Sequence, residues 1–300
     1  MTHSMQGELF NLWAEVYDTA ANPLLILEEQ TLPPLLPSIA GLHVLDVGCG
    51  TGRWLSRLAA LQPASLIGTD NSAEMLRRAR GKLAAAVHLL RSDAHAIPVP
   101  DGSQDVIMSS FVLSYLEDLP AFASECARVL KPGGHLLLSD MHPKTARRRG
   151  WTRSFAAKDE TFHINARSPQ LSRIIKSFSR PGFRVSALHT PPFASEQRSA
   201  FEEAGRLEDF LALADVPAIY LLRLRKPMDA QWPAGAASSA SPNISSAQWS
   251  TSPSMSSDAP LSLGNGHIAP DRAVFHSVGP ILGNGNVGLS GKQVRHRLSL

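Results

Sequence analysis

Residues 44–54 read Val-Leu-Asp-Val-Gly-Cys-Gly-Thr-Gly-Arg-Trp, and this stretch decides the fold. A short apolar run contains an acid, Asp46, and glycines then occupy every second position, at Gly48, Gly50 and Gly52. The pattern predicts a buried strand that enters a tight turn, where glycines adopt backbone conformations that a Cβ would forbid. A helix starting after the turn would present free N–H groups to an anion or carboxylate, while Asp46 could accept from a cation or a hydroxyl.

Composition indicates an ordinary globular protein. The chain has 300 residues, 43% of them apolar, and a formal net charge of +3, which gives little support to an electrostatic nucleic-acid or membrane interface. It has no apolar run of the roughly 20 residues that span a membrane, and residues 1–7 lack the pattern of a secretory signal. Cys49 and Cys126 have neither pairing nor zinc-ligand spacing. We expect a soluble cytoplasmic protein without a metal site.

From residue 42 onward, predicted strands alternate with predicted helices. The strands are expected at 43–47, 65–69, 87–91, 104–109 and 135–139, the last one after a stop at Pro132-Gly133-Gly134. Helices are expected at 53–61, 72–85 and 121–130. Because parallel strands need crossover connections, this alternation predicts a doubly wound α/β fold with helices on both faces of a mostly parallel sheet.

Polar residues follow several of these strands, at the edge where such sheets bind ligands. Asp70 is placed to hold both hydroxyls of a ribose, and Ser72 is a better candidate than Asp70 for the cap of the next helix. Asp93 could accept from the exocyclic amine of a purine. Each acid alone is explained about as well by a turn or a helix cap, and their repetition is what favours a binding site.

Five segments together resemble the class I S-adenosylmethionine-dependent methyltransferases in order and spacing. They are residues 44–52 (Val-Leu-Asp-Val-Gly-Cys-Gly-Thr-Gly), 67–76 (Ile-Gly-Thr-Asp-Asn-Ser-Ala-Glu-Met-Leu), 92–94 (Ser-Asp-Ala), 105–110 (Asp-Val-Ile-Met-Ser-Ser) and 129–134 (Val-Leu-Lys-Pro-Gly-Gly). The chain is most similar to the small-molecule branch that includes the ubiquinone and menaquinone C-methyltransferases, over roughly residues 13–227. The resemblance implies a Rossmann-like, seven-stranded sheet with an antiparallel last strand.

The resemblance also implies roles for individual residues around S-adenosylmethionine. Asp46 and the turn from Gly48 through Gly50 to Gly52 would lie under the amino-acid end of the cofactor, and Asp70 would hold the ribose. The remaining cofactor contacts would come from Asn71, Met75, Asp93, Ala94 and Ser110. A sulfonium methyl is already activated, so methyl transfer needs mainly an aligned acceptor and a dry pocket, and the lack of a catalytic triad is no objection.

Two other functions remain open at this point. An NAD(P)-dependent oxidoreductase would carry G-x-G-x-x-G, whereas Arg53 stands where its last glycine would be. A non-catalytic cofactor-binding protein could keep the same fold, and only an activity measurement separates that case.

The acceptor is expected to be a small molecule, contacted by residues outside the cofactor set. The candidates are Trp13, Tyr17, Tyr115 and His142. Trp13 and Tyr17 would share a helix face and either pack on the core or cover the pocket. His142 follows a strand and could orient or deprotonate the acceptor, although a loop histidine bonded to backbone is at least as good an interpretation. The basic run at 147–149 is more often a solvated surface than a phosphate or nucleic-acid site.

Changes in composition divide the chain into three expected parts. Residues 1–40 would form an N-terminal helical cover, and residues 41–227 the methyltransferase domain, with a substrate-side insertion at about 142–180 containing a helix and a strand pair. A helix is expected at 200–213 and a final apolar strand at 218–224. Residues 228–300 are rich in small and polar residues in their first part and sparse in apolar ones throughout, which predicts a disordered tail. The oligomeric state is left open.

Overall fold

The computed structural model describes residues 3–19, 22–203 and 205–228. The expected disordered tail lies outside the described residues, apart from Met228. Helices are α1 His3–Ala14, α2 Pro23–Thr31, α3 Arg53–Ala59, α4 Ala73–Lys82, α5 Leu119–Val129, α6 Pro143–Arg148, α7 Leu171–Ser179, α8 Arg198–Glu203 and α9 Leu207–Ala212. Strands are β1 His43–Val47, β2 Ser65–Asp70, β3 Val87–Arg91, β4 Gln104–Ser110, β5 Leu130–Met141, β6 Arg153–Ala157, β7 Glu160–Ile164, β8 Arg184–His189 and β9 Ile219–Arg225.

Seven of these strands form one sheet in the order β3-β2-β1-β4-β5-β9-β8. Strands β1 to β5 pair in parallel, and β9 runs antiparallel to both β5 and β8. The predicted doubly wound fold, with an antiparallel last strand, is confirmed. The order of the strands reverses at β1 and β4, which is the point where sheets of this kind bind ligands.

Alternating side chains of β1 build a core on each face of the sheet. Val44 packs with Leu58 of α3 on one face, whereas Leu45 packs with Phe122 of α5 and Phe178 of α7 on the other. All five are buried, and burial of each such side chain stabilises the fold by about 1.5–3 kcal/mol. The helices packed on both faces of the sheet thereby hold the carboxyl end of β1 in place, where the glycine turn begins.

The N-terminal helices lie over the carboxyl edge of the sheet. Helix α2 begins at Pro23 and is capped by Asn22, whose side chain accepts from the Leu24 backbone N–H at 3.0 Å. Helix α1 is joined to α4 through Asn11, whose Oδ1 accepts from the Ser72 hydroxyl at 2.6 Å. None of the described helices has the length and apolar character needed to cross a membrane.

Two local expectations were wrong. Strand β5 begins at Leu130 and runs through Pro132-Gly133-Gly134, because Gly133 adopts a positive φ of 77° and the ladder with β4 resumes after a register shift. The single helix expected at 200–213 is two short helices, α8 and α9, separated near Gly205, which has a φ of 65°. Helix α6 and the antiparallel pair β6 and β7 occupy the segment where a helix and a strand pair were expected.

Candidate active site

A cavity enclosing about 1030 Å³ of empty space, including its open mouth, lies at the carboxyl ends of the first four strands. Segments following β1, β2, β3 and β4 line one part of it, and α1, the turn after α1 and β6 line the rest. The lining residues are Gly7, Phe10, Trp13, Tyr17, Val47, Gly48, Gly50, Thr69, Asp70, Asn71, Met75, Ser92, Asp93, Ala94, His95, Ser110, Phe111, Val112, Tyr115, Leu116, Glu117 and Arg153.

The glycine turn has no room for a side chain at Gly48, whereas Gly50 borders open space. The Gly48 and Cys49 backbone N–H groups donate to Thr69 O at 2.7 and 2.9 Å, which ties the turn to the end of β2. Gly48 has a φ of 73°, and a Cβ there would come within 2.3 Å of Val112 Cγ2. A Cβ at Gly50, whose φ is 54°, would have Met75 Sδ as its nearest neighbour, at 4.0 Å, and both residues line the cavity. Glycine thus leaves open the space next to this turn.

Asp46 lies beneath the turn and lacks a partner. Its side chain is buried, and Oδ1 has no hydrogen bond with any described residue. Burial raises the pKa of Asp46 to about 7, with the nearby Arg53 acting to lower it and Glu28 to raise it. A buried acceptor of this kind is costly unless a donor reaches it, so it favours a ligand that brings a donor.

Asp70 joins the end of β2 to the glycine turn. Its Oδ2 accepts from the Gly50 backbone N–H at 2.8 Å, and its Oδ1 accepts from that of Ser72 at 2.9 Å. Burial raises the pKa of Asp70, while these N–H groups act to lower it. Ser72, as predicted, caps α4 by accepting from the Met75 N–H at 3.1 Å. Asp70 is therefore held rigidly at the cavity edge and keeps unused lone pairs for further donors.

Asp93 is held by a residue that the sequence did not single out. The His95 backbone N–H donates to Asp93 Oδ1 at 2.8 Å, and the His95 ring Nδ1 lies 2.7 Å from the same oxygen. The other ring nitrogen, Nε2, lies 3.1 Å from Asp118 O. His95 itself lines the cavity, and the only sequence signal for it was its position two residues after the acid.

A buried charged network fastens α2 to the sheet. Glu28 is fully buried and pairs with Arg53 at 2.5 Å, while the Ser110 hydroxyl donates to Glu28 Oε1 at 2.7 Å. The Ser139 hydroxyl and the Trp54 indole N–H also donate to Glu28. Glu28 was missed in the sequence, although an acid directly after the apolar run 24–27 was a signal.

Five aromatic side chains that line the cavity form what we call the aromatic wall: Phe10, Trp13, Tyr17, Phe111 and Tyr115. Trp13 and Tyr17 meet edge-on with ring centroids 5.0 Å apart, as do Phe10 and Tyr115 at 5.1 Å. Residues distant in sequence thus build one largely apolar surface of rings at steep angles to one another, with a polar atom on each tyrosine.

Arg153 of β6 reaches this wall from the hairpin. Its Nη2 pairs with Asp140 at 2.5 Å, and its guanidinium carbon lies 5.2 Å from the Phe111 ring and 5.5 Å from the Tyr115 ring. Arg153 is buried. Burial acts to lower its pKa, but Tyr115 and Asp140 outweigh this, so the side chain stays charged. Arg153 could not be identified from the sequence, because its partners are far away along the chain.

The structure brings most of the predicted site residues together in this one cavity. Those that line it are Gly48, Gly50, Asp70, Asn71, Met75, Asp93, Ala94, Ser110, Trp13, Tyr17 and Tyr115. Asp46 and Gly52 do not line it. Asp46 lies below the turn, and Gly52 is the N-cap residue of α3, where a Cβ would meet Ala79 at 3.2 Å.

His142 is separated from the other candidates. It lies in a second cleft beside Lys144 and Arg147, and its Nδ1 is 3.3 Å from Thr145 Oγ1. It is the N-cap residue of α6, and its backbone N–H donates to Ala218 O at 2.9 Å. Burial and the two cations lower its pKa. The structure therefore gives His142 no contact with the cavity.

Comparisons with known proteins agree on one family. A family model described as "Methyltransferase domain" matches residues 45–138. A demethylmenaquinone methyltransferase of Tropheryma whipplei is 32% identical over 176 residues, covering 57% of this chain and 70% of the relative. A malonyl-[acyl-carrier protein] O-methyltransferase of Serratia marcescens is 34% identical over 160 residues, covering 53% and 61%.

Solved structures show the same fold. The crystal structure of an S-adenosylmethionine-dependent methyltransferase from Mesorhizobium loti superposes with a TM-score of 0.55 at 24% identity, covering 66% of this chain and 97% of that one. A phosphoethanolamine N-methyltransferase of Haemonchus contortus, solved with S-adenosyl-L-methionine, gives a TM-score of 0.52 at 17% identity, covering 74% of this chain and 57% of that one.

Proposed function

The chain belongs to the class I S-adenosylmethionine-dependent methyltransferases, and on that premise we propose that it methylates a small molecule held against the aromatic wall by direct displacement at the methyl group. Methyl transfer from S-adenosylmethionine is the activity of the family. The single observation that carries the acceptor proposal is the aromatic wall itself. In this proposal the polar strand ends hold the cofactor, and the largely apolar wall is left for a second ligand.

The residues at the strand ends fit S-adenosylmethionine. Asp46, whose unpartnered Oδ1 lies below the turn, would place negative charge near the ammonium group of the cofactor, and the space beside Gly50 would be reduced by a Cβ. In our proposal Asp70 holds the ribose hydroxyls, and His95 acts as a positioning residue for Asp93. The other contacts proposed are Asn71 and Met75 beside the adenosine, Asp93 and Ala94 at the adenine, and Ser110 toward the methionine part.

Catalysis in this proposal depends on alignment more than on proton transfer. The bound cofactor supplies an activated methyl group, so the chain must orient the acceptor and exclude water, which together lower the barrier by about 7 kcal/mol or more. Trp13 lies near the end of α1 and Tyr17 in the turn that follows, and both belong to the aromatic wall. The hydroxyl of Thr51, a residue of the glycine turn, donates to Asp18 Oδ1 at 2.8 Å. This hydrogen bond ties the segment after α1 to the glycine turn.

The names of the relatives are consistent with a small acceptor. One acts on a quinone precursor by its name, demethylmenaquinone, and another on a malonyl group. For this chain, a small acceptor is supported by the lining of the cavity, which combines aromatic rings with a few polar groups and which the cofactor would share.

The hydrogen bonds of Arg53 make hydride transfer the less favoured function. Arg53, which replaces the last glycine of the dinucleotide fingerprint, donates to Glu28, Glu29 and Ser110. The position is thus filled by a side chain that holds the fold together, where a dinucleotide turn needs close helix packing around glycine.

Labelled S-adenosylmethionine with an ultrafiltered small-molecule extract tests the proposal. We expect protein-dependent label in the small-molecule fraction, lost in Asp70→Ala and retained in His142→Ala, the matched control outside the cavity. Label found only in protein or nucleic acid would refute the small acceptor. Binding of S-adenosylhomocysteine without any transfer would favour the non-catalytic alternative.

A further inference from the structure

Two hydrogen-bond donors, one on Tyr115 of the aromatic wall and one on the neighbouring Arg153, have no hydrogen-bond partner among the described residues. The Tyr115 hydroxyl and the Arg153 Nε are both buried, and neither has a hydrogen bond with any described residue. Both hydrogen bonds that Arg153 makes, to Asp140 and to the Ser114 hydroxyl, use Nη2. Since buried donors are nearly always satisfied, these two indicate an acceptor that a ligand brings.

Asp140, the carboxylate that pairs with Arg153, already has both oxygens in hydrogen bonds. Asp140 Oδ1 accepts from the Met141 backbone N–H at 2.7 Å and from Arg153, and Oδ2 accepts from the Ser114 N–H at 2.9 Å. Asp140 therefore fixes one corner of the guanidinium. Arg153 is one of the residues that line the cavity, and its guanidinium carbon lies over the rings of Phe111 and Tyr115.

The charge and shape of this arrangement select an anion. A guanidinium is always ionised and presents a planar fork that matches the two oxygens of a carboxylate. Arg153 is only 6% exposed and already pairs with Asp140, so a ligand would reach it through the donors that Asp140 leaves unused.

We propose that the methyl acceptor carries a carboxylate that binds Arg153 and Tyr115, with its apolar body against the aromatic wall. The inference rests on the proposed function, because it assumes that the acceptor lies beside this wall. It makes Arg153 and Tyr115 specificity-determining residues, and it makes Asp140 a positioning residue for Arg153.

A carboxylate could come from the acceptor or from the methionine part of the cofactor. Arg153 belongs to the β6 hairpin and contacts the segment after β4, while the orphaned acceptor that suits the amino-acid end, Asp46, lies under the glycine turn. This placement favours the acceptor. Measuring the affinity for S-adenosylhomocysteine distinguishes the two sources, because only a cofactor contact would make that affinity depend on Arg153.

The test uses benzoate and benzamide, which share a shape and differ in charge, titrated by ligand-observed NMR into the full chain saturated with S-adenosylhomocysteine. We expect benzoate to bind about tenfold or more tightly than benzamide, since only benzoate brings a negative charge to the buried guanidinium. Arg153→Met should remove this preference while S-adenosylhomocysteine binds within about threefold of wild type, and Arg153→Lys should restore part of it.

Two further variants guard the interpretation. Arg153→Met leaves Asp140 buried without its cation, so Arg153→Met combined with Asp140→Asn removes both charges and tests the same point if the single variant unfolds. Arg148→Met removes an exposed arginine of the basic run in the second cleft and should leave the benzoate preference unchanged.

Several outcomes would overturn the inference. Failure of the wild type to bind S-adenosylhomocysteine would defeat the proposed function as a whole. Normal binding of S-adenosylhomocysteine with no benzoate preference, or a preference that survives without Arg153, would defeat this inference alone. A loss of affinity for S-adenosylhomocysteine of about tenfold in Arg153→Met would assign the arginine to the cofactor.

Discussion

Asp46→Asn separates what this residue costs the fold from what it contributes to binding. Asp46 is buried beneath the glycine turn with an unpartnered Oδ1, and burial raises its pKa from 3.8 to about 7. The unfolded chain loses this proton near pH 4 and the folded chain near pH 7. Ionisation therefore favours the unfolded state, and the stability of the wild type falls as pH rises through this window.

The size of the effect follows from the pKa. Raising it from 3.8 to about 7 costs the folded protein about 4 kcal/mol above pH 7, at about 1.4 kcal/mol per tenfold change in the proton equilibrium. Asparagine removes this cost but leaves a buried amide that lacks a partner, which costs about 1–3 kcal/mol. We expect Asp46→Asn to be more stable than wild type at pH 8 by about 1–3 kcal/mol, and to lose this advantage near pH 4.

Urea denaturation of both proteins from pH 4 to pH 8 measures this difference. Asp105→Asn is the matched control with the opposite sign, because Lys131 and the His43 N–H outweigh the effect of burial and lower the pKa of Asp105. That variant should be less stable than wild type above about pH 5, with the difference shrinking on acidification. Asp46→Asn should also bind S-adenosylhomocysteine more weakly at pH 8, since it lacks the ionised acceptor.

A difference in stability between wild type and Asp46→Asn that does not change between pH 4 and pH 8 would show that Asp46 does not titrate in this range with a raised pKa. A wild type that becomes increasingly favoured over Asp46→Asn as pH rises would equally contradict a raised pKa, because Asp46 would then be held ionised by a partner in the folded protein.

Three further substitutions test the site and its support. Asp70→Ala should weaken binding of S-adenosylhomocysteine by calorimetry about a hundredfold or more, from the loss of two charge-assisted hydrogen bonds, while His142→Ala changes it little; equal effects would mean that the ribose lies elsewhere. Gly48→Ala should lower the free energy of unfolding by about 1–3 kcal/mol through its positive φ and the contact with Val112, and Val112→Ala should restore part of this in a double-mutant cycle; additive losses would contradict the contact. Glu28→Gln should cost about 1.5–3 kcal/mol in urea denaturation because it removes the buried charge that pairs with Arg53 and leaves Glu29 as the remaining ion-pair partner of that arginine, whereas a loss below about 1 kcal/mol would show that the pair behaves as an exposed one.

The parts of the site that were predictable are those that local order fixes. Asp70 and Asp93 each follow an apolar strand directly, and parallel strands bring their carboxyl ends to one edge, so the acids had to meet once the alternation of strands and helices was read. The glycine turn carried its own signal, because φ values of 73° at Gly48 and 54° at Gly50 are positions that other residues avoid.

The parts that were missed depend on contacts between distant segments. Glu28 and Arg53 meet only because α2 crosses the sheet edge, and Arg153 meets Asp140 only because the β6 hairpin folds back beside the segment after β4. No spacing rule links such pairs. Their charges looked like ordinary surface charges in the sequence, and only tertiary packing makes them buried.

The separation of His142 from the cavity has a local cause. The strand expected to end at 139 continues to Met141, and Pro143 then starts helix α6 with His142 as its N-cap residue. The chain turns at this point, and His142 lies in the second cleft with Lys144 and Arg147. Two additional strand residues therefore moved the candidate from the expected crevice to another surface.

Calorimetry of the full chain with S-adenosylhomocysteine, and with NADH as the comparison ligand, decides whether the cavity binds the methyltransferase cofactor or a dinucleotide. We expect saturable binding of S-adenosylhomocysteine that Asp70→Ala greatly weakens, and no binding of NADH at the same concentration. Binding of NADH with no response to S-adenosylhomocysteine or S-adenosylmethionine at millimolar ligand would contradict this expectation.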